Sequence, residues 1–384
     1  AGATAATDLR TSEHDGVIVH RFRRDGALMR GLRHLDRARL CWTKNRIENA
    51  WSMYAGLKRL LRRHTFDLVE MPECGAEGAL INHLTDLPTL MKFHSPARLI
   101  MPFYDVTRAD TTLCSAVEQL GIRGAQAFTA CSQFVADEVA SKLNVARHVR
   151  VIPNGIDLEL FDKAERVNVR AKYRLPSDRP MILFSGRMER RKGIHLCADI
   201  VGSVLERHQV AVVFAGQDLF NIMEKTVLPS IRQRKLKGSL HYLGKLHLAE
   251  VRSCYMAAEI FLTPSLWENC PYSCLEAMAA GCAVVSSDQG GMPELIRHGE
   301  NGLLAKSGSP AECVSALERV IEDKAFRERL GASARRTIES SYTDREIARQ
   351  SVEFYAESTD ASRSCDDRKS RWFLSLEKDR SASR

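Results

Sequence analysis

The stretch LWENCPYSCLEAMAAG, residues 266–281, places Glu268 and Glu276 eight positions apart with Pro271 between them. Paired carboxylates serve as general acid and base in glycoside hydrolysis at separations of about 5 to 9.5 Å. Proline suits the first turn of a helix and not its interior. A helix is therefore expected to open near Pro271 and to run through PYSCLEAMAA to a stop at Gly281. Glu268 then belongs to the loop ahead of the helix, and Glu276 lies about five residues inside it, roughly 7.5 Å along the axis. The N–H groups of a helix start are a natural anion site. Spacing leaves three readings open: an acid–base pair, an anion site flanked by carboxylates, and two solvated glutamates.

A second group lies in FSGRMERRKG, residues 184–193. Gly186 lets a backbone come close to a ligand. Arg187 and Lys192 can converge on a pyrophosphate, one as a fork of donors and the other as a point charge. Together with Arg190 and Arg191 they also read as a solvated basic loop. Neither a GxxxxGK[ST] phosphate loop nor a GxGxxG dinucleotide fingerprint occurs in the chain. His94 closes the apolar run TLMKFH ahead of Ser95 and Pro96, as a ligand-facing residue or a structural one.

Both groups follow apolar runs that read as strands, and open α/β sheets bind ligands past the C-terminal ends of their strands. The expected strands are GVIVHRF, FDLVEM, TLMKFH, AFTACS and VRVIP, then MILFSG, VAVVFAG, LHYLG, EIFLTP and CAVVSS, alternating with helical patterns. The fold class is α/β, with two doubly wound parallel domains. Their expected limits are 1–160 and 161–342, joined across the turn-rich segment that starts at PNGID. Thr343 and Glu346 form a capping box that opens a further helix over 343–358, and the polar, aperiodic residues 359–384 read as a disordered tail.

The 384 residues suffice for two cores, and no apolar run reaches the roughly 18 residues of a membrane span. With no signal-peptide pattern and eleven scattered cysteines lacking metal-site spacing, a reduced, cytoplasmic protein without bound metal or cofactor is expected. Charge is uneven: from Arg21 to Arg63, 13 Lys/Arg face three acids, 13 − 3 = +10, against +8 for the whole chain. The region 21–63 reads either as a solvated helix face or as a surface for an anionic membrane. No nucleic-acid motif accompanies it.

The motifs VIPNGID, FSGRMERRKG, FAGQD, LGKL and PSLWENCPYSCLEAMAAGCAVVSSDQGGMPELI, in this order, resemble the retaining glycosyltransferases of family 4, from about Asp15 to Ser358. The resemblance implies the GT-B fold, two Rossmann-like domains facing across a cleft with a C-terminal helix crossing back to the first. It implies a metal-independent hexosyltransferase that takes a UDP- or GDP-sugar and passes the sugar to a glycan, lipid-linked or small-molecule acceptor. Polysaccharide biosynthesis at the inner face of a membrane fits that chemistry. By position, Arg187 and Lys192 hold the diphosphate beside Gly186, and Glu268 binds the transferred sugar. Asn269, Cys270, Pro271 and Tyr272 assist it with their backbone, Glu276 holds the ribose, Gly244 and Leu246 border the base, and His94 reaches the sugar. Glu268, His94, Arg187 and Lys192 are the implied catalytic groups. Members ordinarily begin with a strand and a glycine-rich loop ahead of the stretch aligned to Asp15. Their absence implies an N-terminal fragment or a rearranged first domain. Other readings are a glycogen-synthase-like enzyme, a nucleotide-sugar epimerase, and a non-catalytic nucleotide-sugar or membrane-surface binding protein.

Overall fold

The short Val-, Ile- and Phe-rich runs form strands, and these carry the fold. A computed structural model describes residues 10–22, 26–163 and 165–359. The expected tail from residue 360 onward, and residues 23–25 of the basic region, lie outside the described residues. The chain divides into two units. One comprises residues 1–131, 136–151 and 350–384, the other 132–135 and 152–349.

The first unit holds β1 (Arg10–His14), β2 (Val17–Arg21), β3 (Val69–Pro72), β4 (Thr89–Phe93), β5 (Ala127–Ala130) and β6 (Val149–Val151). Its parallel sheet has the order β3-β4-β5-β6, with β4 buried almost throughout, as expected of a strand covered on both faces. GVIVHRF, expected in this sheet, pairs instead with β1 as an antiparallel hairpin. The reason is local. Asp15 and Gly16 take φ of 50° and 79°, the conformation of a tight hairpin turn, and β2 pairs back on β1 with Val17 and Ile18 left exposed.

The second unit holds β7 (Met181–Ser185), β8 (Ala211–Ala215), β9 (Ser239–Tyr242), β10 (Ile260–Thr263), β11 (Ala283–Ser287) and β12 (Leu303–Ala305). All six are parallel in the order β12-β11-β10-β7-β8-β9, so the winding reverses between β7 and β10. One continuous core of Val, Ile, Leu and Phe side chains joins β7, β8, β10 and β11 to the helices Cys197–Arg207 and Pro310–Glu322. The edge strand β12, the short run LLA, is absent from the expected set.

Thr343 caps a helix over 344–359 by accepting the N–H of Glu346 at 3.3 Å. Its early residues cluster with the second unit, where the N–H of Asp344 meets Ile156 O at 3.0 Å. Its late residues cluster with the first, where the Tyr355 hydroxyl donates to Glu70 Oε2 at 2.6 Å and Arg150 pairs with Glu357 at 2.9 Å. Among the described residues no helix is long and apolar enough to cross a membrane.

Candidate active site

The segments that follow β7 and β10 leave the second sheet at its reversal point, where neighbouring loops diverge and leave room for a ligand. Two glycines lock these segments together. Gly193, at φ 72°, closes the single turn Arg190–Lys192, and a Cβ there would stand 1.9 Å from Pro264 O. Gly290, at φ 69°, lies over the loop of Glu268, where a Cβ would meet Glu268 O at 1.8 Å. The N–H of Gly291 donates to that same carbonyl at 3.0 Å. The sequence SSDQGG thus serves as a backbone brace for Glu268.

Glu268 is 4% exposed and is the centre of a charge network. Its Oε1 receives the Lys192 ammonium and, at 3.0 Å, the Ser265 hydroxyl; its Oε2 faces Arg191 Nη1 at 3.4 Å. Arg191 also donates to Trp267 O at 3.1 Å and to Glu189 Oε1 at 2.8 Å, and its guanidinium lies over the Trp267 ring. Burial alone would raise the Glu268 pKa. The charges of Lys192 and Arg191 outweigh it and hold the carboxyl below its ordinary value, so Glu268 is ionised at neutral pH. Arg187 reaches Glu189 at 3.4 Å with its side chain 57% exposed.

Arg191 corrects the reading of 190–192 as a uniformly solvated basic loop. Arg190 is exposed, whereas the turn carries Arg191 inward between two buried acids. No signal in RRK says which cation turns in. The acids that recruit Arg191 are two and 77 residues away.

Pro271 is the N-cap of the helix Tyr272–Ala279, which opens beside Pro271 as expected, and its carbonyl accepts from the N–H groups of Cys274 and Leu275 at 3.0 and 3.2 Å. Gly281 follows the helix at φ 78°. The preceding loop is held from outside. Ser132 Oγ donates to Asn269 Oδ1 at 2.5 Å and Asn154 Nδ2 to Cys270 O at 2.7 Å, while Tyr272 stays exposed. Glu276 is half-buried on the helix. Burial raises its pKa, opposed by the Tyr255 hydroxyl and the Arg252 charge. Gly244 takes φ 66° with its carbonyl accepting from Gly216 N at 2.7 Å, and Leu246 is half-buried two residues on. The second unit therefore assembles Gly186, Arg187, Lys192, Glu268 and Glu276 on loops and a helix that leave the C-terminal ends of its strands. Gly244 follows β9.

His94 belongs to the first unit, directly after β4, with Nδ1 3.4 Å from Cys131 Sγ. Burial pushes its pKa down to about 4, so the imidazole is neutral at physiological pH.

These features define a class: a doubly wound unit with cationic and carboxylate groups at its reversal point, preceded by a second parallel α/β unit. Solved structures place the fold. Sucrose-phosphate synthase of Thermosynechococcus elongatus matches with a TM-score of 0.76, 21% identity, and coverage of 93% of this chain and 88% of that one. HepE of Anabaena, solved with UDP-glucose, matches with a TM-score of 0.65, 21% identity, and coverage of 78% and 81%. The fold is GT-B. Residues 165–337 match the family described as glycosyl transferases group 1, and residues 4–160 match Glycosyltransferase Family 4. An uncharacterized glycosyltransferase of Methanocaldococcus jannaschii is 30% identical over 284 residues, 72% of this chain and 71% of that protein. The alpha-maltose-1-phosphate synthase of Mycobacterium tuberculosis is 28% identical over 291 residues, 72% and 75% of the two chains. The chain belongs to the family-4-type GT-B glycosyltransferases, and it is a transferase enzyme.

Proposed function

We propose that the protein is a retaining glycosyltransferase that moves a hexose from a nucleoside-diphosphate sugar to a glycan or lipid-linked acceptor without a metal ion. The observation that carries this reading is Glu268, buried, ionised and paired with Lys192 where the second sheet reverses its winding. In this reading Glu268 takes hydroxyls of the transferred sugar, assisted by the backbone of Asn269, Cys270, Pro271 and Tyr272. Arg187 and Lys192 hold the diphosphate beside Gly186, Glu276 takes the ribose, and Gly244 and Leu246 border the base. His94 is assigned to the sugar on the family resemblance.

As the bond from sugar to phosphate breaks, negative charge grows on the diphosphate and positive charge on the ring. Fixed cations and a helix N-terminus act where that charge develops. The acceptor attacks from the face the diphosphate leaves, which preserves the anomeric configuration, and the departing phosphate takes the acceptor's proton. HepE was solved with UDP-glucose, and starch synthase IV of Arabidopsis thaliana was solved with ADP, which supports a nucleotide-sugar donor here.

Thermal shift with UDP-, GDP- and ADP-sugars identifies the donor, since a bound ligand raises apparent stability. With that donor and an acceptor panel, the chain should release nucleoside diphosphate and give a product of unchanged configuration. An isomerised sugar without acceptor would point to an epimerase, and an extended glucan to a synthase. Undiminished turnover in both Arg187→Ala and Lys192→Ala would remove the phosphate assignment.

A specific feature favours docking on the inner, anionic face of a membrane as well. His20, Arg59, Arg62, Arg63 and His64 line a cavity of about 400 Å³, and the nearby hairpin exposes Val17 and Ile18. Sedimentation with anionic vesicles should exceed that with neutral ones, and equal binding would remove the electrostatic part of this reading.

A further inference from the structure

The first unit buries carboxylates that the chemistry above leaves unused. Glu73, in the turn after β3, is 0% exposed. Its Oε2 accepts the backbone N–H of His94 at 2.9 Å and its Oε1 that of Ser95 at 2.5 Å. Glu118, on the helix Arg108–Gly124, accepts the N–H of Ala97 on Oε2 at 2.8 Å and Arg46 Nε on Oε1 at 2.9 Å. Pro96 has no N–H. Every backbone donor from His94 to Ala97 therefore ends on a buried carboxylate oxygen. Carboxyl groups are costly to bury, and Arg46 is the cation paired with Glu118.

We propose that Glu73 is a positioning residue for sugar transfer: its two oxygens fix the backbone of His94 and Ser95, and through it the place of the His94 imidazole. The proposal rests on the assignment of His94 to the transferred sugar. Nucleotide binding belongs to residues of the second unit, so loss of Glu73 acts on turnover and spares donor affinity. A misplacement of about 1 Å costs on the order of 10²-fold in rate. The groups facing Glu73 and His94 are Glu118 on its helix, Cys74 next to Glu73, Lys92 on β4 and the Cys131 thiol just after β5, with Arg46 on the helix Cys41–Leu60 paired to Glu118. Burial and the Glu118 charge push Glu73 up to about 8, which makes His94 a reporter of its ionisation.

The test combines kinetics with NMR on the whole chain. Glu73→Gln, His94→Ala and the double variant are assayed with the donor chosen by thermal shift. The His94 ring signal, assigned by its loss in His94→Ala, is followed against pH. Glu73→Gln puts an amide N–H₂ against one of the two backbone donors. It should lower kcat about 10- to 100-fold at unchanged donor Kd and add less than about twofold in the His94→Ala background. The wild-type His94 signal should show a step between about pH 7 and 9 that Glu73→Gln abolishes. Losses that multiply in the double variant, or a variant with wild-type kcat, would overturn the proposal. So would a wild-type signal flat across that range, a measurement that needs no variant to fold. Full turnover in His94→Ala instead strikes the assignment of His94, and the NMR titration then judges the Glu73 contact by itself.

Discussion

Arg187, Arg191 and Lys192 lie within six residues, and the proposed donor site gives them three different jobs. Arg191 compensates Glu189, which is 1% exposed, and touches Glu268, so Arg191→Met leaves buried charge without its main partner. Removing one member of a buried pair costs about 3–5 kcal/mol. The expected result is a lower urea midpoint at unchanged slope. Arg187 is mostly solvated, so Arg187→Ala should shift stability by no more than about 0.5 kcal/mol while donor turnover collapses. Lys192→Ala should cost about 10²- to 10³-fold in turnover, the scale of losing one fixed charge at a transition state. Circular dichroism melts and steady-state kinetics on the three variants separate these jobs. The sequence shows the cations but not this division. FSGRMERRKG displays its charges in a row, and the direction of each side chain depends on acids brought in from β10's loop and on the φ of Gly193. Glu268 and Glu276 were legible as a pair split by Pro271. Ser132, which holds Asn269 across 137 residues of sequence, carries no local signal because its partner is set by the fold.

The loops are positioned by backbone contact, and Gly290 tests this. Gly290→Ala must place a methyl group in the space of Glu268 O and also hold an L residue at positive φ, a strain of about 1–2 kcal/mol before any overlap. Gly281→Ala carries the same strain, but its nearest neighbour is Gly331 O at 3.9 Å. Thermal melts should therefore show a modest loss for Gly281→Ala and a larger one for Gly290→Ala. Only the latter should abolish turnover, although neither removes a functional group. Equal effects on turnover would dismiss the brace. Element by element, the buried parallel strands were readable because β4, β7, β8, β10 and β11 are near-continuous apolar runs. β1, reading RTSEH, has no apolar pattern, and β12 is only three residues long. GVIVHRF has the composition of a buried strand. The Asp15–Gly16 turn decides its partner, and it pairs with β1 rather than joining the sheet.

Stability of the whole chain against pH sums titrations from both units, and their signs can be ordered. Burial lowers His94 to about 4 and lowers His195 and His241 as well, from an ordinary 6.5. Groups depressed by folding contribute stability that is complete above 6.5 and lost as the pH falls through their folded values. Glu250, drawn down to about 2 by Lys172 and Tyr173, adds its own loss on the acid side. Burial raises Glu118 to about 7 and Glu73 to about 8 from an ordinary 4.5. A raised acid contributes stability that is complete below 4.5 and lost as the pH climbs through its folded value. Between 4.5 and 6.5 the two sets oppose each other. Above 6.5 the histidines add nothing more and only the acids are still titrating. The buried thiols, with Cys114 and Cys282 pushed up to about 12, act in the same direction from about pH 9. The melting temperature should therefore fall from pH 6.5 toward pH 8.5, and Glu73→Gln should make that alkaline limb shallower, with Glu118 still contributing, while leaving the histidine part of the acid limb in place. A wild-type melting temperature that rises from pH 6.5 to 8.5 would mean that Glu73 and Glu118 are already ionised in the folded protein at neutral pH, with Arg46 and the backbone N–H groups of residues 94, 95 and 97 outweighing their burial.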